Sequence, residues 1–514
     1  MSETAPTTDQ AAQDQRAAIL LIAGLTLVRL VTLFSTPLEL YPDEAQYWLW
    51  SRTLDFGYYS KPPVIAWAIW ATTKLGGDAE PWVRLSAPLF QAGAGLIVFA
   101  IARRLYGGGV ALAATALYVL MPAVQLSSLV AATDAPLLFF LGLTIWSWTV
   151  LQTAEGRARL ALAASVGASL GLAFLSKYAA IYGVIGIGLH LAISARARSR
   201  WSPASVALAI AAFAAILAPN VAWNAQHHFA TLHHTAANAA WSGRKLFNAS
   251  ELGEFLLAQF GAFGPIPFAA LIAGGATFAW RRRLTPADIL LLCFTLPPLA
   301  IVTVQAFVSR ANANWSGASY LPGAILVAAW LIRWRARRVL LAALAIQAVV
   351  AVVFLSCVLS PKLADTLGAA NSLKRAKGWS ESTRLILDRA REDPGLTAIA
   401  VNNRFLYYAM SYYGRDRLKS PITPPLTAWL LAPEPQNQAE TTAPLTPTLG
   451  KRVLGVAYEG AWRDEMMGDF AAVSSREIAS VYLDRKHKRR LDLFVGEGFQ
   501  PRPRDLVSGR PTPP

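Results

Sequence analysis

Tyr41-Pro-Asp-Glu-Ala-Gln-Tyr-Trp-Leu-Trp50, followed by Ser60-Lys-Pro-Pro63, lies directly behind a long apolar run at 18–37. If that run crosses a bilayer, Asp43, Glu44 and Lys61 stand at its mouth. Ionisable groups beside hydrocarbon must stay hydrated, paired or coordinated, which makes these three candidates for a functional site. Composition supports the membrane reading: 54% of the 514 residues are hydrophobic and only 15% charged, far from a soluble average. Windows of about 17–25 apolar residues fall near 18–37, 84–102, 109–126, 134–152, 160–175, 178–194, 203–221, 253–279, 287–307, 317–332 and 339–359. The expected fold is an all-α polytopic membrane domain of about eleven transmembrane helices. The stretch 62–75, with Trp67 and Trp70, is too short to span and is expected to lie in the interface.

Orientation follows from the basic residues, because cytoplasmic loops retain Lys and Arg. Alternate loops hold Arg103-Arg104, Arg157 with Arg159, Arg196 with Arg198 and Arg200, Arg281-Arg282-Arg283, and the run from Arg333 to Arg338. These place the N-terminus inside, in the cytoplasm, and both the loop 38–83 and the tail after 360 outside. The net charge of +16 is thereby explained by topology, and nucleic acid is not an expected partner. Cys293 and Cys357 fall inside predicted spans, so neither a disulfide framework nor a cysteine metal site is expected.

Residues 1–17 read as a disordered cytoplasmic arm, 18–359 as the membrane domain, 360–500 as a small periplasmic α/β domain and 501–514 as a disordered Pro- and Arg-rich tail. Within the third segment, 396–401 and 452–457 read as buried strands and 382–392 and 404–413 as helices, with a loop over 419–448.

Polar groups collect on the outer side of this topology: Asp43, Glu44, Lys61, Arg84, Asp134, Lys177, Asn220, Asn224, Arg310, Asn312, Asn314 and Tyr320. A carboxylate can take a proton from a hydroxyl, and cations can neutralise a phosphate that gathers charge as it leaves. Between them, an apolar groove suits a long isoprenoid tail, so transfer from a lipid phosphate is the expected chemistry. Each residue also has a plainer reading. Asp43 and Asp134 can cap helices, Lys61 can snorkel to headgroups, Lys177 can mark a turn, and Arg84 and Arg310 can anchor the interface. Trp223, Trp241 and Trp315 fit an aromatic belt. His227-His228 and His233-His234 fit a solvated turn as well as a metal site.

Asp43-Glu44, Tyr59-Ser-Lys-Pro-Pro63, Thr133-Asp-Ala-Pro136 and Gly171-Leu-Ala-Phe-Leu-Ser-Lys-Tyr178 occur in an order that resembles the GT-C membrane glycosyltransferases. More narrowly, the chain is similar to bacterial members of glycosyltransferase family 39, akin to protein O-mannosyltransferases and the lipid A aminoarabinose transferase. Pro219-Asn-Val-Ala-Trp-Asn224, Gln259-Phe-Gly-Ala-Phe-Gly-Pro265 and Asn314-Trp-Ser-Gly-Ala-Ser-Tyr320 extend the likeness, which covers about 38–325. The resemblance implies an inverting transfer from a polyprenyl-phosphate sugar to an acceptor hydroxyl at the periplasmic face.

By the same likeness, Asp43 would be the base, assisted by Glu44, while Asp134 would orient acceptor or sugar. Lys61, Lys177, Arg310 and Tyr320 would approach the donor phosphate, and Arg84, Asn224, Asn314 and Trp315 would contact substrate. No cofactor is expected to be required, although Asp43 and Glu44 could hold a divalent cation. The segment after 360 does not match the sugar-binding trefoil inserts of eukaryotic protein mannosyltransferases, which favours lipid A, its core or another envelope glycolipid as acceptor over a protein. A carrier of polyprenyl-linked sugar is the rival from another class; it calls for midplane charges or paired broken helices, and neither is clear in the sequence.

Overall fold

A computed structural model describes residues 8–237, 247–280 and 283–505. Of the features read above, the arm at 1–7, Trp241, Arg281, Arg282 and the tail from 506 lie outside the described residues. The chain forms two compact units. One holds the chain up to Ser35, Asp55–Gly57 and Lys61–Ser356, and the other holds Thr36–Leu54, Tyr58–Ser60 and the chain from Cys357 onward.

The first unit is helical and makes the chain an integral membrane protein. Among the described residues, eight helices are long and apolar enough to cross a bilayer, with Gly108–Leu120 and Tyr178–Ile193 as shorter apolar helices. The expected single span at 253–279 is instead a broken pair, Ala249–Phe263 and Pro265–Phe278, bent by 111°. The break has a local cause: Gly264 takes a φ of +102° that side chains resist, and Pro265 has no amide to continue the ladder. The first helix begins at Thr8 rather than after residue 17, and Gln15 in its early turns accepts a hydrogen bond from Arg103.

Close approach of backbones shapes this unit as much as side-chain volume does. A Cβ on Gly167 would lie 1.9 Å from the carbonyl oxygen of Ala209, and one on Gly171 would meet Ile216 at 2.9 Å. The two glycines, one turn apart on Gly156–Ser176, therefore form the groove that receives Pro203–Gln226. In lipid, where apolar surface alone gives helices little reason to associate, such small-residue seams are a main source of packing energy.

The second unit is α/β. Its sheet contains β1 (Ala398–Val401), β2 (Leu426–Ala428), β3 (Arg452–Tyr458), β4 (Phe470–Tyr482) and β5 (Lys488–Phe499), in the order β2-β1-β3-β5-β4. β1 runs parallel to both β2 and β3, whereas β5 is antiparallel to β3 and β4. Helices Trp379–Arg391 and Arg404–Tyr413 match the sequence reading closely, but β4 and β5 were not anticipated. The expected loop at 419–448 contains β2 and a short helix, Gln438–Thr442.

Helix Pro42–Trp50 is part of this second unit, where Trp48 packs edge-on against Tyr412 at 4.9 Å and Tyr413 OH accepts from Leu40 N at 2.7 Å. The tail expected to be disordered from 501 is held through its first residues, since Arg502 and Arg504 both pair with the buried Asp469.

Candidate active site

Asp134 is the first residue of helix Asp134–Leu151. Lys177 ends helix Gly156–Ser176 in extended backbone, φ −162° and ψ 135°, before a 3-10 turn at Tyr178–Ala180. The two helices are joined by a short connection at their other ends, so they run antiparallel and bring these residues to one end of the membrane unit. Lys177 Nζ lies 2.9 Å from Asp134 Oδ1, and Asn314 Nδ2 donates to Asp134 Oδ2 at 3.3 Å. Their side chains remain partly open, at 19% for Lys177 and 20% for Asp134. A partly hydrated lysine held by one carboxylate can exchange that partner for a phosphate without crossing a large desolvation barrier.

Beside this pair runs a neutral network. Tyr178 OH donates to Asn220 Oδ1 at 3.0 Å and accepts from Asn224 Nδ2 at 3.1 Å, while Asn220 Nδ2 donates to the Phe56 carbonyl at 2.6 Å. The substrate contact expected of Asn224 is thus placed in a buried framework that fixes the turn after Lys177. Trp223 covers Gly57, where a Cβ would meet its ring at 2.3 Å, and stacks on His227 at 3.9 Å.

A second framework holds the segment that carries Asn314. Gln259, from the first arm of the bent pair, accepts from Ser316 Oγ at 2.9 Å and Tyr320 OH at 2.5 Å. Tyr320 is 1% exposed and stacks on Phe263 at 4.5 Å, which places this expected phosphate ligand in the packing of the bend. Trp315 packs beside Phe255, Val302 and Ala306. Arg310 is exposed, and its carbonyl accepts from Gln305 Nε2. Arg84 is buried, 3% exposed, at the end of helix Glu80–Arg84. Lys61 is half-buried, just before the Pro62-Pro63 step that leads into helix Val64–Gly76.

In the second unit, the two acids of Asp43-Glu44 part ways. Glu44 is fully buried and closes a capping box, accepting from Tyr41 N at 2.8 Å; its geometry is that of a helix cap. Asp43 points outward with its side chain 53% exposed, 3.4 Å from Arg404 Nη1. The same nitrogen donates to Gln46 Oε1 at 2.8 Å, so Arg404 braces the helix that carries Asp43. Sequence reasoning missed Arg404, Gln46, Tyr178 and Gln259. Gln46, Tyr178 and Gln259 left a signal, as members of the quoted motifs, and Arg404 left none.

A family model described as dolichyl-phosphate-mannose-protein mannosyltransferase matches residues 60–223. The lipid A galacturonosyltransferase RgtD of Rhizobium johnstonii is 35% identical over 402 residues, 78% of this chain and 83% of that protein. The chain is a GT-C glycosyltransferase of the family 39 type. Solved structures of the same fold include ArnT from Cupriavidus metallidurans, apo and bound to undecaprenyl phosphate. Each has a TM-score of 0.63 and covers 92% of this chain and 97% of ArnT, at 16% and 17% identity. As a GT-C enzyme, the chain has its Asp134–Lys177–Asn314 cluster within the segment aligned with these relatives.

Proposed function

We propose that this glycosyltransferase moves a uronic acid, galacturonic acid, from a polyprenyl phosphate to a hydroxyl of lipid A at the periplasmic face, with inversion. The likeness to the lipid A galacturonosyltransferase, 35% identity over 402 residues, carries this reading. In the reaction the acceptor oxygen attacks the anomeric carbon, the bond from that carbon to the phosphate oxygen breaks, and polyprenyl phosphate leaves. Asp43 takes the acceptor proton; its exposed carboxylate, held by a single long contact to Arg404, has free lone pairs for this role. Lys177 gives up part of its pairing with Asp134 to meet the leaving phosphate, and Lys61 adds a second cation. Asp134, oriented by Asn314, is then left to accept hydrogen bonds from the sugar or acceptor.

Mass spectrometry of envelope lipids tests this, comparing a deletion strain complemented with wild type or with Asp43→Asn at matched expression. Restoration of a galacturonic acid mass on lipid A by wild type alone is the expected result. Unchanged lipid A in every strain, together with accumulation of a polyprenyl-phosphate sugar in the deletion, would move the acceptor to another molecule. Full restoration by Asp43→Asn would remove Asp43 from the base role.

A further inference from the structure

We infer that the membrane unit carries a second anion site, at the end of its helices opposite Asp134 and Lys177, shaped for the phosphate of a membrane lipid headgroup. Helix Asp134–Leu151 locates it: Asp134 opens that helix, and Thr149, Gln152 and Thr153 at the other end line a cleft of about 470 Å³. At 1.5 Å per residue the two ends are roughly 27 Å apart, about the thickness of the hydrocarbon core.

Three arginines far apart in sequence, Arg104, Arg196 and Arg333, enter this cleft with His190, and no carboxylate lines it. Arg333 is the one with an acidic partner, a bidentate contact to Asp288 at 2.9 and 3.2 Å. Arg104 donates only to the neutral Thr153 Oγ1, and Arg196 is exposed with no acid partner among the described residues. The cleft therefore holds positive charge in excess, together with hydroxyl donors from Thr153, Ser194 and Thr285. Planar guanidiniums converging with hydroxyls are the usual recognition set for a phosphate.

Retention of positive charge on one side of a membrane accounts for arginines in these loops. It does not account for their convergence from three separate helix ends on one recess. The setting also favours a lipid over a soluble anion. Helix Ile181–Ile193, which runs up to Ser194 at the cleft, exposes Ile181, Val184, Leu189 and Ile193 along its length, with Ile193 60% exposed. An acyl chain lying on that surface would place its headgroup where the arginines are. Basic recesses between helix ends are a known form of anionic-lipid site.

Native mass spectrometry of the delipidated full-length protein, titrated with phosphatidylglycerol and separately with phosphatidylcholine, tests the assignment. The expected result is one phosphatidylglycerol retained per chain and no retained phosphatidylcholine. Arg104→Gln with Arg196→Gln should weaken retention by about tenfold, and Ala287→Trp, which fills the cleft without removing charge, should weaken it as much. Arg157→Gln with Arg337→Gln, two arginines away from the cleft, should leave it unchanged. Equal loss in that control, or unchanged binding in the double Arg104/Arg196 variant, would overturn the site. Displacement of the lipid by millimolar inorganic phosphate, lost in the same variants, would keep the phosphate site but overturn the lipid as its occupant.

Discussion

Asp134 and Asp288 each stand in the first turn of a membrane helix, yet their surroundings differ in kind. Asp288 is completely buried, and its two oxygens accept from Tyr106 OH, Trp330 Nε1, Thr285 N and both terminal nitrogens of Arg333. Asp134 is 20% exposed and meets one lysine and one asparagine, the latter at 3.3 Å. A carboxylate with every lone pair engaged by framework donors has nothing left to offer a ligand, and its removal strands the buried donors that point at it. One with two partial partners and open solvent can trade them. Burial and saturation, rather than the presence of an acid at a helix start, separate framework from site.

The strongest way to break this comparison is Asp288→Ala. Loss of the carboxylate strands the buried donors of Tyr106 and Trp330, while Arg333 is exposed and can be hydrated, so the expected destabilisation is about 2–4 kcal/mol. Thermal unfolding of the purified protein would show it, and a variant as stable as wild type would remove the framework role. Asp134→Asn should do the reverse. It keeps the shape and the Asn314 contact, so stability should move by less than about 1 kcal/mol, while transfer to acceptor falls by about 100-fold. A parallel loss of stability would mean that Asp134 is framework after all.

Lys177→Met sharpens the point with a smaller expected effect. If the lysine serves the leaving phosphate, kcat/KM for the polyprenyl-phosphate donor should drop by about tenfold to thirtyfold, with partial recovery in Lys177→Arg. If the lysine only holds Asp134, both variants should match Asp134→Asn in profile, and Arg should restore nothing specific to the donor.

Most of the membrane fold was legible because hydrocarbon thickness forces long apolar runs, and those runs mark themselves. The bend at Gly264-Pro265 was not, since hydropathy continues smoothly through it and only the backbone preferences of two residues interrupt the helix. β4 escaped notice because most of its side chains are exposed, apolar Ala471, Ala472 and Ile478 among them, which hides the two-residue alternation of a half-buried strand. At the site, Asp134 and Lys177 were readable from their motifs, though their mutual contact was not. Arg404 was invisible: it meets Asp43 across 361 positions of sequence, and no local pattern records such a pair. Asp288 was passed over for a related reason, as Thr285-Pro-Ala-Asp288 reads locally as an ordinary helix start and the burial that gives it weight is tertiary.

Glu440 in the second unit lies between the two extremes and gives the smallest effect. It accepts from Gln436 N and Asn437 Nδ2, yet burial outweighs these bonds and raises its pKa above the ordinary carboxyl value. Nearby Tyr59 is raised as well, by burial first and then by the charges of Glu440 and Glu434. A carboxyl raised in the folded state contributes stability that is present below its unfolded pKa and lost as pH climbs through the folded one. Many other carboxylates titrate over the same range, some of them lowered by arginine partners, as Asp393 is by Arg452. The melting temperature of wild type alone would therefore mix opposing slopes. Subtracting that of Glu440→Gln removes the shared part, and the difference, wild type minus variant, should become more positive as pH falls from 7 toward 5. A flat difference would show that the two hydrogen bonds balance burial, which would place Glu440 beside Asp288 as a fully satisfied acid.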